Sequence, residues 1–344
     1  MRSAEGQRAM QNRRRFLAST AATALAVNFV RFRGEAAEFT MKIGTDNPET
    51  HPTNVRLKAM VDKVRAQTNG RLELQVFPNS ILGGDSQMMT QTRSGALQIW
   101  CAPDNVLANV VPVAAISNVG FAFNDAKQGF AAMDGPLGTY IRNQTPKTGM
   151  YTFAKIWDNG VREITTSTKP ITQASDMLGF KIRVPASPVA IAMFKAIGAS
   201  PSPVDSKEMY TALQTRVMDG QENSLAIIET YKLYEVQKFC SISNHMWAGY
   251  WMVMNSAAKD SLPKDVFDTL ERNMNETALL QRADVENLNA TLQPKLTQEG
   301  LTFNNVNRDT FKAKLRESGF YDQQKNLYGD EPWRLLEKAV GKLT

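Results

Sequence analysis

Hydrophobic residues from Phe39 onward follow two spacings in turn, first every second residue and then every third or fourth. The first spacing is typical of strands and the second of helices, so their alternation predicts an α/β fold. In the first half of the chain the predicted strands are Phe39 to Ile43, Leu72 to Val76 and Leu97 to Cys101. The predicted helices between them begin at Pro52 and at Asp85, and the second of them ends at Gly95.

The same alternation starts again near Tyr151. The predicted strands of this second unit are Tyr151 to Ile156, Glu163 to Thr166 and Phe180 to Val184. Helices are predicted to begin at Ser187 and Asp205, whose side chains are good N-caps. The last section favours one long helix from Pro263 to about Gln298, followed by short helices at 311–316 and 332–340. At about 1.5 Å per residue, the long helix can reach across two lobes.

The length and composition favour two lobes in an ordinary globular protein. The chain has 344 residues, and single cores stop growing near roughly 250 to 300 residues. With 42% hydrophobic and 22% charged residues, the chain is not expected to be disordered. We predict an export signal at 1–36, lobe I at 37–158 plus about 248–288, and lobe II at 159–247 plus about 289–344.

Basic residues are concentrated at the N-terminus. The formal net charge is +6, but residues 1–36 contain seven arginines and two acids, which leaves only +1 for the remainder. A near-neutral body without a basic stripe does not favour nucleic-acid binding. The leader itself has a basic start, an apolar stretch and small residues near Ala36, as export signals do. Arg13, Arg14, Phe16 and Leu17 match the twin-arginine core of Tat signals, although a Sec signal with extra arginines stays open.

Motifs that carry catalytic or metal chemistry are missing from the sequence. There is no nucleophile elbow, dinucleotide-binding glycine motif, P-loop, zinc-protease motif or paired-cysteine motif. Only two histidines are present, His51 and His245. Cys101 and Cys240 can form one disulfide or remain two buried thiols. We therefore expect no cofactor, no metal and no enzymatic activity.

Four motifs follow one another between residues 157 and 223. They read W-D-N-G-V-R at 157–162, L-G-F-K-I-R-V-P at 178–185, A-L-Q at 212–214 and M-D-G-Q-E-N at 218–223. In order and spacing this resembles the DctP family, the solute-binding proteins of tripartite ATP-independent periplasmic (TRAP) transporters. Met218 stands for the usual Val, and Met177 and Leu178 replace the usual Leu and Lys. Further matches on both sides extend the resemblance over nearly all of the chain after the leader.

The resemblance implies that Arg183 binds the carboxylate of the ligand, that Arg162 is a second carboxylate contact and that Asn223 also touches the ligand. The chemistry supports this, because a carboxylate loses its hydration when it is buried. A planar guanidinium replaces that hydration with two parallel charge-assisted hydrogen bonds. Each residue also has an ordinary structural alternative. The two arginines can instead form internal salt bridges, and Asn223 can satisfy a turn.

Several other residues are candidates for the rest of the site. Glu222 is more suited to orient the arginines than to face an anion, although a ligand hydroxyl can use it. Aromatic pocket walls are predicted from Trp157, Trp247, Tyr250 and Trp251, with core packing as the alternative. His245 can donate to a ligand oxygen or simply pack. Relatives often carry an aromatic residue where this chain has Ser206, which leaves room for a different ligand body.

The resemblance further implies a two-lobed periplasmic binding protein fold with mixed sheets, hinge strands and a long helix that spans both lobes. Its implied function is to capture a small organic carboxylate and deliver it to TRAP membrane permease subunits. The sequence leaves three rivals open: an ABC-type binding protein, a ligand sensor and an extracytoplasmic hydrolase. It also leaves open whether the ligand is a monocarboxylate, a dicarboxylate, an aromatic acid or a sugar acid.

Overall fold

The computed structural model describes residues 36–343. The predicted export signal lies outside the described residues apart from Ala36. The described strands are β1 (Phe39–Gly44), β2 (Leu72–Phe77), β3 (Ile99–Pro103), β4 (Met150–Thr152), β5 (Trp157–Thr166), β6 (Lys181–Val184), β7 (Ser200–Pro203), β8 (Gly220–Ser224), β9 (Phe239–Asn255) and β10 (Thr302–Asn305).

The described helices lie between these strands and after the last of them. They are α1 (Pro52–Gln67), α2 (Asp85–Ser94), α3 (Asp104–Leu107), α4 (Ala126–Asp134), α5 (Pro136–Arg142), α6 (Pro188–Ala196), α7 (Ser206–Gln214), α8 (Leu225–Thr230), α9 (Ser256–Asp260), α10 (Lys264–Gln298), α11 (Arg308–Glu317), α12 (Phe320–Tyr328) and α13 (Asp330–Val340). Short 3-10 turns lie at Pro112–Asn118, Thr145–Thr148, Ala174–Met177 and Leu233–Glu235. The predicted α/β fold is confirmed.

Strands join into one mixed sheet in the order β2-β1-β3-β9-β5-β8-β6-β7, with β4 and β10 paired to β9. At one end β1 runs parallel to β2 and β3, and at the other end β6 runs parallel to β7 and β8. Between them β5 and β9 are antiparallel to each other. The two parallel sets are therefore connected through two long strands.

Local sequence sets several element ends as expected. The α2 helix stops at Gly95, whose φ of 86° is the left-handed conformation that glycine adopts easily. Ser187 caps α6 by accepting a hydrogen bond from the amide of Ala190, and Asp205 caps α7 through the amide of Lys207. The predicted caps at Ser187 and Asp205 are confirmed.

The two long strands depart from the periodicity prediction. Strand β9 has 17 residues and its second half, from Met246 to Asn255, is buried at every position. A strand buried on both faces loses the alternation of apolar and polar residues, so its pattern cannot be told from that of a helix. Strand β5 begins at Trp157 and so includes the first sequence motif, where a strand was predicted only from Glu163 to Thr166. The strand predicted from Tyr151 to Ile156 is confined to β4 at Met150–Thr152.

The predicted long helix is confirmed as α10, with 35 residues and Pro294 in its last turns. It packs on α1, on α8 and on β5. Helix α1 belongs to predicted lobe I and α8 belongs to predicted lobe II, so the long helix contacts both predicted lobes. The C-terminal helices also contact both predicted lobes. Helix α11 contacts α6 of lobe II, and α13 contacts α4 and α5 of lobe I. The lobe boundaries stay a prediction.

Three apolar clusters hold the body together. One lies under β1, β2 and β3 against α1 and α10, and another joins α7 and α8 to the end of α10. The third packs α6, α12 and α13 on the helices between residues 104 and 142. Within the range that the structure describes, no helix combines the length and the apolar character needed to cross a bilayer.

Candidate functional site

A narrow cavity lies where the two sets of parallel strands meet. Its polar lining residues come from both sets: Asp46, Asp85, Asn105, Asn159, Arg162, Arg183, Ser206, Asn223, Tyr231 and Tyr250. Its apolar lining residues are Pro103, Val106, Pro185 and Ile227. Most of the lining residues are polar or charged, so the cavity suits a polar ligand.

The topology explains why these residues converge. Asp46 follows the end of β1 and Asn105 follows the end of β3, and these strands are parallel. Arg183 lies near the end of β6 and Ser206 follows β7, which are also parallel. Ligands of parallel sheets bind outside the carboxyl ends of the strands. The cavity is enclosed by two such edges.

Arg183 lines this cavity and has no ion-pair partner among the residues that the structure describes. Its side chain is only 1% exposed. The Nε donates to the carbonyl of Val204 at 2.8 Å, while the buried Nη2 has no hydrogen-bond partner among the described residues. Burial lowers the pKa of Arg183, and the Glu222 carboxylate partly offsets this. A buried guanidinium with a free donor is a strong site for an anion.

Arg162 lines the same cavity but is already neutralised. Its Nε and Nη2 both donate to the Glu222 carboxylate, the second at 2.8 Å, and Nη2 also donates to the Glu222 carbonyl at 2.9 Å. Burial alone would raise the pKa of Glu222, but the Arg162 charge and the His245 hydrogen bond lower it to about 2. The pair is therefore ionised and holds Arg162 in place.

His245 completes this network from β9. Its Nε2 lies 3.2 Å from the Glu222 carboxylate and its Nδ1 lies 2.7 Å from the Ser243 hydroxyl. Because an ionised carboxylate only accepts, the Nε2 must carry the proton and Nδ1 accepts from Ser243. Burial lowers the pKa of His245, which favours this neutral form.

Asp46 and Asp85 form an acidic pair on the cavity wall, in the part of the chain that also supplies Asn105. Burial raises the pKa of Asp46 to about 6, although hydrogen bonds with Ser206 and Asp85 lower it in part. The pKa of Asp85 is raised well above its ordinary value, first by burial and then by the Asp46 charge. The two like charges repel each other, so ionising both carboxyls at once is unfavourable and the pair tends to keep one proton.

Several lining atoms are left without a partner. No N–H or hydroxyl group of the described residues donates to Asp46 Oδ1, and Asn105 Oδ1 is also buried and unpaired. Asn223 is better satisfied, since its Nδ2 donates to Gln221 Oε1 at 2.8 Å. Buried polar atoms are normally paired, so these two acceptors, together with the free Arg183 donor, indicate positions where a ligand supplies the missing partners.

Four of the nine site residues predicted from sequence line the cavity. Arg183, Arg162, Asn223 and Tyr250 line the cavity. Glu222 and His245 sit behind Arg162. Trp157 lies in the apolar cluster under β1 to β3.

Trp247 and Trp251 belong to the larger apolar cluster. The Trp247 ring contacts Phe123 and Phe130 edge-on, and its Nε1 donates to Asp158 at 3.0 Å. These two tryptophans, like Trp157, are not among the residues that line the cavity.

Asp46, Asp85 and Asn105 line the cavity but were not predicted as site residues from the sequence. A signal was present for Asp46 and Asn105, because both lie shortly after a predicted strand of a parallel set. Asp85 carries a weaker signal, since its sequence context predicts only the start of a helix. In the range from 36 to 343, no group of three or more His, Cys, Asp or Glu side chains is arranged to hold a metal ion. Cys101 and Cys240 are both buried free thiols.

A family model matches residues 43–323, and its description is bacterial extracellular solute-binding protein, family 7, DctP. The 2,3-diketo-L-gulonate-binding periplasmic protein of Escherichia coli K12 is 32% identical over 242 residues, 70% of this chain and 74% of that protein. The C4-dicarboxylate-binding periplasmic protein of Vibrio cholerae O1 is 32% identical over 246 residues, 71% of this chain and 74% of that protein.

Among solved structures, the sugar acid binding protein of Advenella mimigardefordensis in complex with galactonate superposes with a TM-score of 0.85. The two proteins are 26% identical, and the match covers 90% of this chain and 100% of that chain. The predicted periplasmic binding protein fold is therefore confirmed.

Proposed function

The chain belongs to the DctP family of bacterial extracellular solute-binding proteins, and we propose that it captures a small organic carboxylate and delivers it to the membrane permease of a TRAP transporter. The relatives described above bind sugar acids or C4-dicarboxylates, as their names state. The proposal transfers to this chain the shared part of that chemistry, namely a carboxylate.

The observation that carries the proposal is the free donor of Arg183. A guanidinium that is 1% exposed and lacks an ion-pair partner among the described residues is costly in an empty protein interior. A ligand carboxylate at Nη2 removes that cost and adds charge-assisted hydrogen bonds. The anion and the arginine are therefore expected to stabilise each other inside the cavity.

Arg162 is proposed to act mainly as a fixed positive neighbour. Its Nε and Nη2 are engaged by Glu222, which is in turn held by His245. We propose that Glu222 and His245 position Arg162, and that Asn223 and Tyr250 contact the ligand from the cavity wall. Trp157 and Trp247 then support the site through core packing rather than by touching the ligand.

Cavity-lining residues from both predicted lobes support a closing movement. Asp46, Asp85 and Asn105 come from the segments assigned to lobe I, and Arg183, Ser206 and Asn223 come from those assigned to lobe II. Opening would separate these groups and admit water to Arg183, and closing would bury the ligand. In this scheme the protein binds and releases its ligand without making or breaking a covalent bond.

Location outside the cytoplasm is also part of the proposal. The relatives named above are periplasmic proteins, and the sequence of residues 1–36 matches an export signal of the Tat type. Export by that route stays a prediction.

A thermal-shift screen of the ligand-stripped protein against pairs of carboxylic acids and their amides tests the proposal. The amide keeps the size and loses the charge, so only the acid should stabilise the fold. An acid at about a thousand times its dissociation constant should add roughly 4 kcal/mol to the free energy of unfolding. Equal shifts with acid and amide, or shifts with neutral compounds only, would contradict the assignment of Arg183.

A further inference from the structure

Two unpaired acceptors lie on the cavity wall that the first half of the chain supplies. Asp46 is 5% exposed and Asn105 is 2% exposed, and each has a side-chain oxygen without a donor among the described residues. Both residues line the same cavity as Arg183. The cavity therefore offers one free cationic donor and two free acceptors, and a matching ligand carries one anion and at least two hydrogen-bond donors.

A second carboxylate on the ligand has no comparable partner. Arg162 is the other arginine of the cavity, and its Nε and Nη2 are taken by the Glu222 carboxylate and carbonyl. The opposing wall holds the Asp46 and Asp85 pair, which keeps one negative charge while the two carboxyls share a proton. A ligand carboxylate placed against that pair is repelled and leaves Asp46 Oδ1 without a donor.

We infer that the ligand is a monocarboxylate that carries hydroxyl groups, with its carboxylate on Arg183 and its hydroxyls donating to Asp46 and Asn105. Hydroxyls are the donors that also accept, so they can take hydrogen bonds from neighbouring groups such as Ser206 in the same cavity. This inference rests on the proposed carboxylate function and narrows its substrate class.

The test compares four-carbon acids by isothermal titration calorimetry on the ligand-stripped protein. The four-carbon probes are 2,3,4-trihydroxybutanoate in both diastereomers, butanoate, succinate and 4-aminobutanoate. Two six-carbon probes, a pentahydroxyhexanoate as the six-carbon hydroxy acid and hexanoate, repeat the comparison at a greater chain length. Each hydrogen bond to a buried charged or polar acceptor is expected to change affinity by roughly tenfold or more. The preferred diastereomer should therefore bind at least about a hundredfold more tightly than butanoate, and also more tightly than succinate.

Asp46→Asn sharpens the test, because it keeps the shape and removes the charge. The variant should bind the trihydroxy acid roughly tenfold more weakly, since a charge-assisted bond becomes a neutral one. It should bind succinate more tightly than the unmodified protein does, since the repulsion is gone. Asp62→Asn, on the exposed face of α1, is the matched control and should leave every affinity unchanged. Asn105→Ala serves as a second variant and should lower the preference for the trihydroxy acid over butanoate.

The outcomes separate the two claims. If none of the acids binds, the proposed function itself is wrong. A second outcome is that acids bind but the hydroxy acids have no advantage. If butanoate or succinate binds as tightly as the trihydroxybutanoates, and hexanoate binds as tightly as the six-carbon hydroxy acid, the carboxylate function stands and the hydroxyl inference is overturned. Tighter binding of 4-aminobutanoate also overturns it, because the donor would then be an ammonium. A loss of hydroxyl preference in both Asp46→Asn and Asn105→Ala supports it.

Discussion

Replacing Glu222 by glutamine removes the carboxylate that neutralises Arg162 in the protein interior. The two side chains are 0% and 2% exposed, and the glutamate accepts from two guanidinium nitrogens and from His245. Glutamine has nearly the same shape, so the change leaves the packing in place. What remains is a buried arginine whose charge is no longer balanced.

The expected cost can be worked out in two ways. Breaking a buried ion pair by removing one partner typically destabilises by roughly 3 to 5 kcal/mol. Alternatively, the folded-state pKa of Glu222 is about 2 against an ordinary value of 4.5, which corresponds to about 3 kcal/mol. We therefore expect the free energy of unfolding of Glu222→Gln to fall by about 3 kcal/mol at pH 7.

The pH dependence gives this prediction a second signature. A lowered folded-state pKa contributes stability above the unfolded-state value near 4.5, and that contribution disappears as the pH falls toward 2. The difference between the two proteins should therefore shrink below pH 4.5. Equilibrium urea unfolding, followed by tryptophan fluorescence from pH 7 to pH 3, measures both effects.

A matched control is Glu276→Gln, which breaks the half-exposed pair with Lys63. It should leave stability essentially unchanged, because exposed ion pairs contribute little. A loss of less than about 1 kcal/mol for Glu222→Gln at pH 7 would refute the reasoning, since it would mean that Arg162 is neutralised in some other way.

Two further predictions concern stability. Burial raises the folded-state pKa of four carboxyls to about 6 or 7, above their unfolded-state values: Asp46, Asp104, Asp158 and Glu163. Their contribution to stability is fully present below the unfolded-state pKa values of about 4 and is lost as the pH rises through 6 to 7. Urea unfolding should therefore show lower stability at pH 8 than at pH 5. Equal or higher stability at pH 8 would contradict this prediction. Gly220→Ala should destabilise by roughly 1 to 3 kcal/mol or more in thermal unfolding, because a Cβ would lie 2.1 Å from the Thr165 carbonyl; a neutral effect would show that β5 and β8 can separate at no cost.

Residue type and spacing were enough to predict some of the structure. The α/β fold, the long helix α10 and the caps at Ser187 and Asp205 all follow from local pattern and side-chain chemistry. The two predicted arginines, Arg162 and Arg183, do line one cavity. Local sequence cannot tell which of them has a free donor. That depends on the register of β5 and β8, which places Arg162 and Glu222 on the same face of the sheet.

Other parts of the site depend on packing between distant segments. Asp46 and Asp85 share a proton only because the loop after β1 meets the start of α2. The positions of the tryptophans could not be predicted from residue type either, since an aromatic side chain suits a pocket wall and a core equally well. Trp157 and Trp247 lie on buried strands in the core, and only their neighbours in space distinguish the two outcomes.

The most direct test of the central claim is a calorimetric titration of wild-type protein and Arg183→Lys with the best carboxylic acid from the screen and with its amide. Lysine keeps the positive charge and loses the planar fork that presents Nη2 to the ligand. We expect tight binding in only one of the four combinations, wild-type protein with the acid, while the melting of both unliganded proteins remains cooperative. Retention of the same affinity by Arg183→Lys, or equal affinity of wild-type protein for acid and amide, would contradict the role of Arg183 as the carboxylate site.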